Sequence, residues 1–198
     1  VTADVLPWDA AIAWSVYPLV VVRTPWDYFQ RLPEFLAWAE RTSAQTRLVN
    51  PLSVLRWNCH KGYLRELAEH GIATVPTRWL DHRPRLSAEV GLQQAHAELL
   101  ALRAQGWEEL VVKPAVSIGA IGALRARVDD PACATHLAAL RAEGDVLVQP
   151  YLPSLAEQGE VSLIYFGGQF CHAIRKRPAA GDFRVQEESA QKIKRKKG

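Results

Sequence analysis

A parallel α/β layer followed by mixed α+β lobes is the fold class that this sequence predicts. Leu19-Val20-Val21-Val22-Arg23 is a continuous apolar run, the pattern of a strand buried on both faces. Leu32, Phe35, Leu36 and Ala39 recur at helical spacing, and Arg47-Leu48-Val49 forms a short strand that Asn50-Pro51 ends. Strand, helix, strand is the grammar of a parallel layer. Further on, two β-rich runs flank Gly167-Gly168, which predicts an antiparallel hairpin of residues 160–166 and 169–177.

The remaining elements follow in order. Val1–Pro7 alternates loosely and is read as a strand, while the strand–helix unit that normally opens such a layer is missing, so the Rossmann-like layer is expected to be partial. Residues 53–58 and 61–70 carry helical patterns, the second stopped by Gly71. Thr74-Val75-Pro76 reads as extended chain. Ser87 is the expected N-cap of a helix that reaches Gln105 and stops at Gly106. Strands are expected over 110–114 and about 120–127, a helix from Pro131 to Ala142, and a strand over 146–149.

Composition narrows the class. The chain has 198 residues and is 48% hydrophobic, enough for a substantial core. No apolar run approaches the roughly 18 residues of a membrane span, and the start lacks a basic segment and a cleavage pattern, so a cytoplasmic protein without membrane contact is expected. Cys59, Cys133 and Cys171 are widely spaced and odd in number, which predicts free buried thiols. The net charge of +3 is dominated by residues 189–198, which hold five basic side chains and no acid; the body then carries 19 basic against 21 acidic residues. A body of that balance is no specific nucleic-acid binder. The basic tail reads as foreign to the fold and is expected to be disordered and dispensable. The absence of Met and the start at Val1 read as a cut N-terminus.

The chemistry is carried by the lysines. Seventeen of the basic residues are Arg and seven are Lys, four of them in the last seven positions; the body keeps Lys61, Lys113 and Lys176. A lysine ammonium is a compact point charge suited to phosphate. Lys113 ends the strand Leu110-Val111-Val112-Lys113-Pro114, and the glycine-containing loop Ser117-Ile118-Gly119-Ala120-Ile121-Gly122 follows. Glycines let backbone N–H groups approach phosphate oxygens. The plainer readings are a solvated helix residue for Lys61 and an ordinary hairpin turn for the loop.

Four segments occur in order: Asn58-Cys59-His60-Lys61; Val111-Val112-Lys113-Pro114 with its loop; Val148-Gln149-Pro150-Tyr151-Leu152-Pro153 followed by Gly159-Glu160; and Arg175-Lys176-Arg177-Pro178 with Gly181-Asp182-Phe183-Arg184. Together they resemble the ATP-grasp superfamily, in its glutathione-synthetase-like and ribosomal-protein-glutamate-ligase-like branch, near the D-cycloserine-forming ligases. The resemblance covers about residues 4–188. It implies an ATP-dependent carboxylate–amine ligase working through an acyl phosphate, with ATP and Mg²⁺ as cofactors, a small carboxylate and a small amine as substrates, and room for a homodimer.

Residue by residue, the resemblance implies that Lys61 and Lys113 contact nucleotide phosphates, with Ser117 and Gly119 in the covering loop. Gln149, Tyr151 and Leu152 correspond to the linker that recognises adenine, and Glu160 to the acid that accepts from the ribose hydroxyls. Lys176, Arg177 and Arg184 fall at the acyl-phosphate end. Strand alternation sets Arg175 and Arg177 on one face and Lys176 on the other unless a bulge intervenes, so Arg177 and Arg184 are favoured as inward. His172, on the same strand, reads as a packed residue, and the seven Trp residues as core and domain-edge packing. Arg23-Thr24-Pro25-Trp26-Asp27-Tyr28 follows a strand's C-terminal end, where α/β sheets place ligands, and is expected near the acceptor or carboxylate substrate.

The family's metal ligands follow the Gly-Asp-Phe-Arg segment, and no such acidic pair stands there, so no metal residue is assigned and an incomplete ATP-grasp domain is expected. The domains read as 1–52, a partial α/β layer; 53–188, the ATP-grasp region; and 189–198, the tail. A non-catalytic nucleotide-binding or interaction fragment is the alternative to the ligase.

Overall fold

In the computed structural model, which describes residues 2–176 and the backbone of 194–196, the expected strand–helix–strand unit is present. Strand β1 (Leu19–Val21) pairs in parallel with β2 (Arg47–Val49), Leu19 opposite Arg47, and helix α1 (Leu32–Gln45) makes the crossover. Helix α1 buries Phe35, Trp38, Ala39 and Thr42, one stripe of the 3.6-residue period. This stripe packs on Val20 and Leu48, with Leu55 and Cys59 completing the core. Trp8 meets Phe35 edge-on at 5.5 Å, and Phe35 stacks on Trp38 at 5.6 Å.

Two expectations are corrected here. Residues 2–7 form no strand. Strand β1 is buried on one face only: Val20 is covered, but Leu19 and Val21 are 45% and 57% exposed. The apolar run suggested cover on both sides, whereas α1 covers one side of a strand pair.

By packing, the chain forms two compact units, Val1–Thr74 with Ala115–Ile118, and Val75–Pro114 with Gly119–Gly198. The first unit also holds helices α2 (Leu52–Asn58) and α3 (Tyr63–Glu69), and Gly71 stops α3 at φ 79°. Leu55 and Cys59 thus bury in the first unit, past the expected boundary at residue 52.

The second unit is built on the antiparallel sheet β3-β6-β4-β5: β3 (Arg78–Leu80), β4 (Glu109–Pro114), β5 (Leu124–Arg127) and β6 (Val146–Pro150). Helices α4 (Ala88–Ala104) and α5 (Pro131–Glu143) cover one face. Each starts at a side-chain cap, the Ser87 oxygen accepting from the Val90 N–H and the Asp130 carboxylate from the Ala132 N–H. Leu110, Val112, Val146 and Val148 point into the helices, with Leu99, Leu102 and Leu137 opposite. Alternation therefore turns Val111, Lys113, Leu147 and Gln149 to the other face.

A short helix α6 (Pro153–Gln158) leads to the hairpin of β7 (Glu160–Phe166) and β8 (Gln169–Lys176). Gly167 and Gly168 turn it with φ of 57° and 80°, as a primed turn demands. Strand β9 (Lys194–Lys196) pairs with β8, Lys194 opposite Arg175. The expectation that the tail holds no ordered element is corrected for these three residues, because an edge strand offers backbone partners to a segment with no apolar payload. Cys171 is exposed, a correction to the expectation of three buried thiols; Cys59 and Cys133 are buried.

Candidate functional site

The face of the β3-β6-β4-β5 sheet turned away from α4 and α5 gathers several of the expected residues. Lys113 on β4 stands opposite Leu147 on β6, and Val111 opposite Gln149. Lys113 is half-buried, and no carboxylate or hydrogen-bond acceptor among the described residues meets its ammonium. Burial pushes its pKa below the ordinary lysine value. An unpaired buried cation is costly, so a site built around one is set for an anion.

Gln149 is 6% exposed, and its Nε2 donates to the Thr77 hydroxyl at 2.8 Å. Its side chain is thereby held in the sheet. Beyond it the strand leaves for α6. The Tyr151 N–H donates to the Glu109 carbonyl at 2.8 Å, and the Leu152 carbonyl accepts from the Leu155 N–H at 3.0 Å. The Tyr151 carbonyl and the Leu152 N–H have no hydrogen-bond partner among the described residues, so this linker presents one acceptor beside one donor.

The Arg125 guanidinium lies 3.6 Å from the Tyr151 ring centroid and donates to both oxygens of Glu109, at 2.9 and 3.1 Å. That fork fixes the guanidinium, which in turn fixes the ring. Arg125, Glu109 and Thr77 were missed in the sequence. The one signal for Arg125 was the alternation Leu124-Arg125-Ala126-Arg127, which puts two Arg on one strand face. Glu160 opens β7, exposed, directly across the ladder from Lys176. The register shift of this hairpin, where Tyr165 pairs with Phe170 next to Ile164 with His172, lies before Lys176. His172 Nδ1 sits 3.2 Å from the Cys171 sulfur. Arg177 and Arg184 lie outside the described residues.

In the first unit, Lys61 and Ser117 are brought together. The Lys61 ammonium donates to the Ser117 hydroxyl at 2.9 Å and the Ser117 carbonyl at 3.1 Å, and the Lys61 N–H to the Ala115 carbonyl at 2.9 Å. Lys61 thus holds the start of the β4–β5 loop. At the loop's other end, in the second unit, Gly119, Ala120 and Gly122 have φ of 62°, 60° and 74°. A Cβ on Gly122 would lie 2.9 Å from Pro114 Cγ, and the Gly122 carbonyl sits 2.8 Å from His136 Nε2. Only glycine fits there. Among the described residues, no group of three or more His, Cys, Asp or Glu side chains could hold a metal ion, and no helix is long and apolar enough to cross a membrane.

Comparison with known proteins bears on this geometry. Residues 1–50 match the family "D-cycloserine synthetase DcsG, N-terminal domain". The chain is 37% identical over 180 residues to the cycloserine biosynthesis protein DcsG of Streptomyces lavendulae, covering 89% of this chain and 58% of that protein. The chain therefore spans little more than half the length of that curated relative. It superposes on a crystal structure of D-cycloserine synthetase DcsG with a TM-score of 0.82 at 32% identity, over all of this chain and 66% of that one. A RimK domain ATP-grasp protein from Sphaerobacter thermophilus shares the fold, with a TM-score of 0.51 at 22% identity over 72% of this chain and 50% of the other. The chain is a homologue of DcsG over a little more than half of that protein's length, and it shares its fold with ATP-grasp proteins.

Proposed function

We propose that the protein is an ATP-dependent carbon–nitrogen ligase that joins a small carboxylate to a small amine through an acyl phosphate. The observation that carries the reading is Lys113: a half-buried ammonium with no partner among the described residues, on the face of the central sheet turned away from α4 and α5 in an ATP-grasp fold. It fits a nucleotide phosphate, which would supply the counter-charge the protein omits. The Tyr151 carbonyl and Leu152 N–H match the adenine edge, which sets an amino donor beside a ring-nitrogen acceptor. Arg125 steadies the Tyr151 ring beside them. Glu160 is assigned to the ribose hydroxyls, since a carboxylate accepts and does not donate. Lys61 shapes the covering loop through Ser117, and Gly119 lets the loop backbone turn.

Bound ATP supplies the phosphoryl group that turns a carboxylate oxygen into a leaving group. Lys176, with Arg177 and Arg184, is assigned to the carboxylate end, where fixed positive charge steadies the transferring group. Magnesium belongs to the proposal as the family's cofactor; the described residues hold no group of three or more His, Cys, Asp or Glu side chains that could bind it. A cytoplasmic location fits such chemistry.

Hydroxylamine trapping tests the reading. Hydroxamate formation that requires both ATP and a carboxylate, with an equal yield of ADP, is the expected result. ATP binding without hydroxamate from a broad carboxylate panel would reduce the protein to a nucleotide-binding module, and failure to bind ATP would overturn both.

A further inference from the structure

A cavity of about 320 Å³ lies wholly within the first unit, beyond the C-terminal ends of β1 and β2. Layers of this kind hold ligands at that edge. Val22, Phe35 and Leu55 give it an apolar lining, and Arg23, Thr24 and Asn58 give it polar groups. Among the described residues, no Asp or Glu lines it. In the same unit, Arg31 is held by Asp9 and Asp27 and Arg56 by Glu40, but no carboxylate among the described residues pairs with Arg23. The cavity therefore carries one uncompensated positive charge.

The rim is built rather than incidental. Asn50 takes the left-handed conformation at φ 49°, and its Nδ2 donates to the Val22 carbonyl at 2.7 Å. That bond ties the exits of both strands together at the cavity mouth, and Asn is among the few residues that adopt this backbone readily. Cys59 lines the cavity as a neutral thiol, its pKa pushed up to about 11 by burial, so it adds no negative charge. One guanidinium with no second cation balances a single negative charge. An apolar lining beside it suits a carbon chain more than a phosphate.

We propose that this cavity recognises a small, amino-acid-sized monocarboxylate, the Arg23 guanidinium holding its carboxylate and Val22, Phe35 and Leu55 taking its carbon chain. A guanidinium fork engages both carboxylate oxygens, which anchors the group rather than freeing it to attack. The carboxylate held here is therefore an anchor, distinct from the one that is activated. That this ligand is a substrate rests on the ligase reading above; the binding itself does not.

The test is a heteronuclear NMR titration of the protein, following the side-chain signals of Arg23 and Asn58, with butyrate and with its uncharged analogue butyramide. The expected result is a saturable shift with butyrate and none with butyramide. Arg23→Gln should weaken butyrate binding by roughly ten- to hundredfold, the loss of a charge-assisted pair. Arg23→Lys, which keeps the charge without the fork, should fall between. Equal response to both probes, no saturable shift in the wild type, or unchanged binding by a folded Arg23→Gln protein would overturn the proposal. ATP binding is measured on the same wild-type sample. Butyrate bound through Arg23 with no ATP bound would sink the ligase reading alone; ATP bound with no butyrate would sink this inference alone.

Discussion

Replacing Lys113 with Met should make the protein more stable and a poorer nucleotide binder at once. The ammonium is half-buried on β4, across the ladder from Leu147, and no described residue offers it a partner. A buried polar group without a hydrogen bond costs the fold about 1–3 kcal/mol. Met keeps most of the apolar stem and removes the charge, so the urea midpoint at neutral pH should rise with an unchanged slope, by an amount equivalent to about 1–3 kcal/mol. The sign of the pH dependence follows from the depressed pKa. The charged form is penalised in the fold, so the penalty is complete below the folded pKa and fades as pH rises from there to the ordinary value of 10.5. The stability gap between variant and wild type should therefore be widest near neutrality and close in alkali. Calorimetry on the same samples should show ATP affinity reduced by about 1.5–3 kcal/mol, the worth of a hydrogen bond to a charged group. A variant that is less stable than wild type, or that binds ATP as well, would refute the reasoning.

Further predictions concern the loop and the first unit's core. Lys61→Ala should speed amide exchange around Ser117 and weaken ATP binding by less than the Lys113 substitution does, because Lys61 secures the loop start through three acceptors. Gly119→Ala should cost about 1–2 kcal/mol for its left-handed backbone, and Gly122→Ala more, because the added methyl also meets Pro114 at 2.9 Å; thermal melts of the pair decide it. Thr42→Val should raise stability by about 1 kcal/mol in urea titrations, since the Thr42 hydroxyl is buried in the core without a partner.

Local signals in the sequence carried much of the fold. The strand–helix–strand unit, the Ser87 cap and the Gly167-Gly168 turn are each written within a few residues, and they stand where the periodicity puts them. What escaped was set by tertiary contact or by shortness. Strand β3 has three residues and exists through its pairing with β6; α6 is a six-residue helix, too short to show a period. The exposed face of β1 depends on what packs beside it, which an apolar run does not record. In the site, Lys113 was legible because a lone lysine ending an apolar strand is anomalous. The hold of Lys61 on Ser117 spans 56 positions, and the placement of Arg125 over Tyr151 joins β5 to the linker after β6 through a side-chain contact with no sequence spacing.

The central claim, that Lys113 is the cation for the nucleotide phosphates, is tested most directly by NMR of the isotopically labelled lysine, titrated with pH with and without a non-hydrolysable ATP analogue. The free protein should show Lys113 titrating below the ordinary lysine range, and the analogue should raise its pKa, because a phosphate beside the ammonium favours the charged form. A Lys113 signal that ignores a bound analogue would contradict the account.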